Sequence, residues 1–460
     1  MPPITRRRFL VTSALAGAAA AVPACRRPAP RPLHDVAILG AGISGLAAAR
    51  DLAAAGLDVV VLEARDRPGG RIETLHDPAP HGLETGAQMI HGSRAATWDL
   101  VREFGLPTRP LRPWDTWPLV PGRGFRPQDA SRLARLRDRL AEAYRDYHGE
   151  DSAYAAFLES RAFTPEEQDL LAGNALSWSA EPDEVSLRAA LEDEAVWEAY
   201  LDLNYQVVGG YDRIPLRLAQ DLGPRLRLSS PVTAVDWRRG EAVVTCRGPG
   251  GEAALRARRV LVTVPIGVLQ AGRPAFAPAL PAWKRRAIDG LRMGRVVVVH
   301  VLFDDRFWRG VAPGFPGWHA RGGRISFWDP HPEGTGAPVL LGWITGAAAQ
   351  ELSDLGPEVG LDRALGWIEQ AFPRSGVRRR LAWSSLRDWL TDPWSLGSYS
   401  FTRPGGSAQR AALATPIEDV LYFAGEATEP APHYQTVHGA YGSGRRAARE
   451  IAAALGLEPR

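Results

Sequence analysis

The sequence predicts an α/β protein with a Rossmann-type unit near its start, and three observations carry that reading. Residues 34–63 run strand, glycine turn, helix, strand. Hydrophobic residues at 45% and charged residues at 23% give the balance of a folded globular chain rather than a disordered one. The length of 460 residues calls for about two to four domains, or one large two-domain body.

Taken in order, the first thirty residues read as an address. Thr5-Arg6-Arg7-Arg8-Phe9-Leu10 precedes an alanine-rich apolar stretch from Val11 to Val22, then Pro23-Ala24-Cys25. A basic start, a short apolar run and small residues near a cut site mark an export signal. The stretch is shorter than the about 20 residues a membrane-spanning helix needs. The paired arginines are of the twin-arginine type, which uses the Tat translocon to carry folded proteins out. The expected location is therefore periplasmic or extracellular. Val22-Pro23-Ala24-Cys25 is an imperfect lipobox, so a membrane tether is expected only if Cys25 is lipidated. Cys246 would then stand alone, and no internal disulfide could form.

His34 to Leu39 is a short buried strand. Gly40-Ala41-Gly42-Ile43-Ser44-Gly45 follows, then an alanine-rich helix from Leu46 to Ala55, then Asp58 to Glu63 as a second strand. In this setting Gly40, Gly42 and Gly45 allow a tight turn, close approach to a pyrophosphate and close helix–strand packing. Ser44 lies in the first helical turn, whose free N–H groups face phosphate. Glu63 ends the second strand, where a carboxylate accepts from ribose hydroxyls. Arg65, Gly70 and Arg71 form a second glycine turn, Ala64-Arg65-Asp66-Arg67-Pro68-Gly69-Gly70-Arg71-Ile72, with guanidinium groups suited to phosphate oxygens.

Composition excludes several classes. A net charge of +3 over this length is too small to argue for a nucleic-acid partner. Zinc and α/β-hydrolase readings fall because C-x-x-C, H-E-x-x-H and G-x-S-x-G are all missing. Lys284 is the single lysine among 55 basic residues, and the 15 tryptophans point to aromatic-lined cavities.

The run from Glu63 to Ile72 resembles the FAD-binding signature of the flavin-containing amine oxidase superfamily, which includes monoamine oxidases, polyamine oxidases and flavin histone lysine demethylases. The resemblance recurs along the chain. Glu84-Thr85-Gly86-Ala87-Gln88-Met89-Ile90-His91-Gly92 resembles the segment under the flavin ring. Gly209 to Pro215 resembles the turn back into the nucleotide domain, and Ser230-Pro231-Val232 the strand whose valine backbone meets adenine. Val260 to Leu269, Trp389 to Ser400, Phe423-Ala424-Gly425-Glu426-Ala427-Thr428 and Thr436-Val437-His438-Gly439 complete the series.

That resemblance implies a GR2-like FAD-binding domain from residues 34–93, 206–270 and 415–460. A second, α+β substrate domain would comprise 94–205 and 271–414. It implies FAD as cofactor and an amine as small-molecule substrate. A hydride would pass from the carbon beside nitrogen to flavin N5, and the imine would hydrolyse in water, with no metal. Gly86, Ala87, Gln88, Met89, Val232, Trp389, Gly425, Glu426, Thr436 and Val437 are the further expected cofactor contacts. Tyr399 is implied as one face of an aromatic cage, with Trp389 and Trp394 beside the flavin. Thr436 occupies the place of the other cage aromatic, and His91 is expected beside the substrate nitrogen.

Three departures sharpen the expectation. Ser398 stands where monoamine oxidases link a cysteine to flavin, so FAD should be non-covalent. Thr436 leaves the cage half open, favouring bulky or secondary amines. Val298, four residues after Gly294 and five before Phe303, replaces the usual lysine implicated in reoxidation by oxygen. Electrons would then pass either slowly to O2 or to a periplasmic acceptor. Met89-Ile90-His91-Gly92 is similar to polyamine-oxidising members, and Ile90 stands where L-amino acid oxidases place an arginine. A polycation would be drawn by Glu192, Asp193, Glu194 and Glu198, although such a run is ordinarily a solvated face. A flavin-dependent desaturase of a hydrophobic substrate and a non-catalytic flavin-binding protein remain as alternatives.

Overall fold

The computed structural model describes residues 33–457 except 80, 112–115, 121–123, 128, 176–178, 193–202, 313, 321, 332–335 and 430–432. The export signal, Cys25, Asp193, Glu194 and Glu198 lie outside the described residues.

Strand β1 (Leu33–Leu39) leads through the glycine turn into helix α1 (Ile43–Ala54), which returns into strand β2 (Val59–Leu62). All four residues of β2 are buried, as expected of a parallel strand covered on both faces. β1 lies between β2 and the long strand β3 (Gly251–Val262), parallel to both. The sheet continues from β3 through Glu241–Gly248 and Val232–Arg238 to Ala275–Ala277, while Leu226–Arg227 flanks β2 and Leu421–Phe423 also pairs with β3. Alternation sorts the side chains. Val36 and Ile38 face one apolar core with Leu46, Leu52 and Ile451, and Ala37 and Leu39 face another with Val262 and Phe423. The first core is roofed by α1 and by the last helix, α2 (Val437–Ala454).

A second sheet of seven strands holds β4 (Val296–Phe303) next to its edge strand Leu381–Asp388, antiparallel to that strand and to Val339–Thr345. Its run of valines fits burial on both faces. Val297, Val299 and Val301 pack against Ala349, Leu352 and Ile368 of the helical stretch Gly346–Ala371, which kinks at Gly356-Pro357. Val296 and Val298 turn the opposite way, into a cluster of aromatic side chains. The mixed α/β architecture is that of a Rossmann-type FAD domain joined to a substrate domain.

Lys284 is fully buried. Its ammonium donates to the carbonyls of Ala412, Leu413 and Thr415 at 3.1, 2.7 and 2.6 Å, capping the end of helix Gln409–Ala414. It also sits 3.9 Å from the centre of the Phe423 ring. A cation at a helix C-terminus is favoured by the partial negative charge there, while burial pulls the amine down to about 7.

Candidate active site

The glycine turn that ends β1 is built by close approach. A Cβ on Gly45 would lie 2.1 Å from the Gly40 carbonyl oxygen, so only glycine lets α1 start there. Gly40 itself has φ +112, outside the range of ordinary side chains. Gly42 differs: a Cβ there would meet nothing within 4 Å. The open side faces the second glycine turn, which Gly69 ties back through its N–H to the Ala41 carbonyl at 2.8 Å. Gly70, at φ +60, would place a Cβ 3.5 Å from Gly42 Cα.

Glu63 is buried at the end of β2. One carboxylate oxygen accepts from Ala41 N–H at 2.6 Å and the other from Arg65 N–H at 2.8 Å. Its carbonyl takes the Ser230 N–H at 2.7 Å, which brings the segment of Val232 alongside. The Arg65 guanidinium is engaged by Asp392 and by Ser395 Oγ at 3.1 Å. Burial lowers its pKa, opposed by the charges of Asp392 and Glu63.

Arg71 donates to the Ser398 carbonyl at 2.6 Å and to Glu426 at 2.9 Å. Glu426 also accepts from the N–H and hydroxyl of Ser400 and from Gln435 N–H. Burial pushes this carboxyl up, but Arg71, Arg410 and the Ser400 hydroxyl outweigh it and hold it below the usual value. A small cleft runs past Arg71, Thr263, Phe423, Gly425 and Glu426. Ser443, in the Thr436–Arg445 block that opens the last helix, joins three parts: its hydroxyl accepts from Gly425 N–H at 2.9 Å and lies 3.4 Å from Ser44 Oγ. Thr436 caps α2, its hydroxyl accepting from Gly439 N–H at 2.9 Å, with Val437 as the first helical residue.

The run expected beneath a flavin is fixed by backbone. Ala87 N–H donates to the Arg71 carbonyl, and a Cβ on Gly86 would fall 2.0 Å from that oxygen. Met89 is buried beside it. Two buried polar atoms here have no protein partner, Gln88 Nε2 and Ser398 Oγ. An open glycine channel at a helix N-terminus, a carboxylate at the end of β2 and these orphaned groups are what FAD would satisfy. With a hydroxyl at Ser398 and Cys246 buried in the first sheet, FAD would be held without a covalent bond.

Trp389 donates its indole N–H to the Thr85 carbonyl at 2.6 Å and so abuts that run. It packs with Val296, Val298, Leu341, Trp328, Trp343 and Tyr399. Trp328 and Trp343 escaped the sequence reading. The register of β4 delivers Trp343 opposite Val298. Tyr399 bonds Ser179 through its hydroxyl, and burial raises the phenol to about 12. Trp394 is half-buried on the turn held by Asp392, outside that cluster.

His91 belongs to another group, on a small sheet made by Ile90–His91, Asn204–Val207 and Thr108–Leu111. Its Nδ1 lies 3.0 Å from Asn204 Oδ1, and its ring meets His438 edge-on at 6.5 Å. His438 Nε2 lies 3.2 Å from His433 Nδ1. Burial takes His91 to about 4; burial, then the neighbouring histidines, takes His438 to about 3. Both are neutral at neutral pH.

The model of the family described as flavin containing amine oxidoreductase matches residues 43–452. The chain belongs to that family of FAD-dependent enzymes. Human lysine-specific histone demethylase 2 is 30% identical over 92% of this chain, which spans about half (54%) of that protein. Polyamine oxidase 4 of Oryza sativa subsp. japonica is also 30% identical, over 90% of this chain and 88% of its own length. Among solved structures, a putrescine oxidase bound to putrescine superposes with TM-score 0.78 at 25% identity, covering 92% of this chain and all (100%) of that one.

Proposed function

We propose that this chain oxidises polyamines or bulky, secondary amines at the aromatic cluster beside the FAD cradle. The observation that carries the proposal is that cluster: Trp328, Trp343, Trp389 and Tyr399 around Val298, joined to the Thr85–Gly86 run through the Trp389 indole. The chemistry FAD supplies is acceptance of a hydride from the carbon beside the amine nitrogen. What the chain supplies is placement. Aromatic faces pack the substrate carbons, exclude water and stabilise a cation that is still protonated on entry. Hydride loss requires a free nitrogen lone pair; burial holds His91 neutral, so it can accept a hydrogen bond from an amine but is a poor acceptor of an ammonium proton. Buried Ile90 offers no charge to a carboxylate, which supports an amine over a free amino acid. The substrates named for the rice relative and the putrescine complex point the same way.

Two finer statements belong to this reading. Val298 is fully buried where the family resemblance expects a lysine, so reoxidation by O2 is slow and a protein or quinone acceptor takes the electrons. The basic, apolar start directs the folded enzyme out of the cytoplasm. In this reading the chain divides into a cofactor domain (34–93, 206–270, 415–460) and a substrate domain (94–205, 271–414), with Ala275–Ala277 of the latter range pairing in the first sheet.

Anaerobic bleaching of the flavin absorbance by spermine, N-acetylspermine, phenethylamine, a secondary cyclic amine and an L-amino acid tests the proposal. Bleaching by the polyamines or the cyclic amine supports it; bleaching by the amino acid alone, or by none, overturns it. Oxygen uptake as fast as dye reduction overturns the acceptor assignment.

A further inference from the structure

We infer that Ser179 is a positioning residue that sets the Tyr399 ring through a hydroxyl–hydroxyl bond. The inference rests on the reading of Tyr399 as a substrate-facing wall.

Ser179 is a buried serine at φ +53, a left-handed conformation that non-glycine residues adopt at a cost. Such strain persists only where the surroundings over-determine it. They do so here from several directions. The Ser179 carbonyl accepts from Arg295 N–H at 2.7 Å, immediately before β4. Two residues on, the Glu181 carboxylate receives the Arg324 fork and the Ala347 N–H at 2.7 Å. Glu184 pairs with the Arg295 guanidinium. Ala180 is buried among the helical residues Leu140, Phe157 and Leu171. The turn is therefore nailed to the edge of the second sheet at the entries of β4, of Ile325–Trp328 and of the helix beginning at Gly346.

What this rigid turn presents inward is the Ser179 hydroxyl, which meets the Tyr399 hydroxyl. Trp343 packs in the same cluster as the Tyr399 ring. The backbone of Tyr399 is fixed separately, its carbonyl accepting from Gly294 N–H at 2.7 Å. Backbone pairing alone leaves the ring free to pivot about its side-chain torsions. The Ser179 hydroxyl contact at its far end removes that freedom. An aromatic wall that holds a substrate carbon in reach of a hydride acceptor needs this second point of fixation, because small misplacements are costly in rate.

The test is a double-mutant cycle on the holoenzyme, read as the limiting rate of anaerobic flavin reduction at saturating amine, alongside KM, flavin content and Tm. Ser179→Ala removes the hydroxyl. Ser179→Gly removes it too and relaxes the φ +53 backbone, so it folds even if the alanine variant does not. Both are expected to slow reduction about three- to tenfold, the worth of one hydrogen bond, with flavin content unchanged. In a Tyr399→Phe background the same substitution is expected to add nothing. Wild-type reduction by Ser179→Gly, or an undiminished loss in the Tyr399→Phe background, overturns the inference. Wild-type reduction by Tyr399→Ala overturns instead the reading of Tyr399 on which it rests.

Discussion

Gly42 and Gly45 stand three residues apart in one turn, yet alanine should do opposite things at the two positions. At Gly45 a new Cβ would sit 2.1 Å from the Gly40 carbonyl oxygen and 3.1 Å from Thr263 Oγ1. The nearer atom is backbone in a turn already committed to φ +112, so it cannot swing aside. Overpacking of this kind costs about 1–3 kcal/mol, and more where backbone must move. At Gly42 the backbone is at φ −67, ψ 171, which alanine adopts freely, and no protein atom lies within 4 Å of the added methyl. Loss of glycine at this N-cap costs under about 1 kcal/mol. The methyl instead projects into unfilled space at the start of α1, where the pyrophosphate is expected. Gly42→Ala should therefore keep the stability of the FAD-free protein and lose FAD affinity by at least about tenfold, or 1.4 kcal/mol. Gly45→Ala should lose both. Urea unfolding of the FAD-free proteins and titration with FAD separate the cases. Wild-type FAD affinity in Gly42→Ala, or wild-type stability in FAD-free Gly45→Ala, refutes the reasoning.

Glu426→Ala should cost about 3–5 kcal/mol, because it strands the buried Arg410 guanidinium and frees Arg71; thermal unfolding with flavin release reads the effect. The Glu426 carboxyl is held below its ordinary 4.5, so its contribution is present above that pH and drains away as the solution is acidified through the lower folded value. His91 and His438 act in a higher window. Unfolded they take up protons near 6.5, but folded only near 4 and 3, so stability falls as pH drops from 6.5 toward 4. Chemical denaturation across that range should show the slope, and His91→Gln with His438→Gln should flatten it.

The glycine turn and the strands and helix around it were legible because their signals are local: a turn only glycine permits, set between two apolar runs and an alanine-rich stretch. The charged side chains were less so. Arg65 looked free for phosphate, but its partner Asp392 comes from 327 residues away. Trp328 and Trp343 are ordinary strand residues in the sequence, and only sheet register sets them beside Val298. Ser179 carries no signal at all, since a lone hydroxyl becomes informative only once its distant partner is known. Lys284, conspicuous by composition, proved to be a helix cap.

The cofactor cradle closes between α1 and α2. Ser44 meets Ser443, Asp51 meets Arg445, and Gly444 passes so near Ser44 that a Cβ would stand 2.1 Å from its carbonyl oxygen. The binding site is therefore incomplete until α2 has joined α1. A nascent chain carries the dinucleotide fingerprint well before it has anything to shut over the ligand. Retained yellow colour thus reports that α2 is in place, and a clip that severs α2 would be reported by the colour leaving.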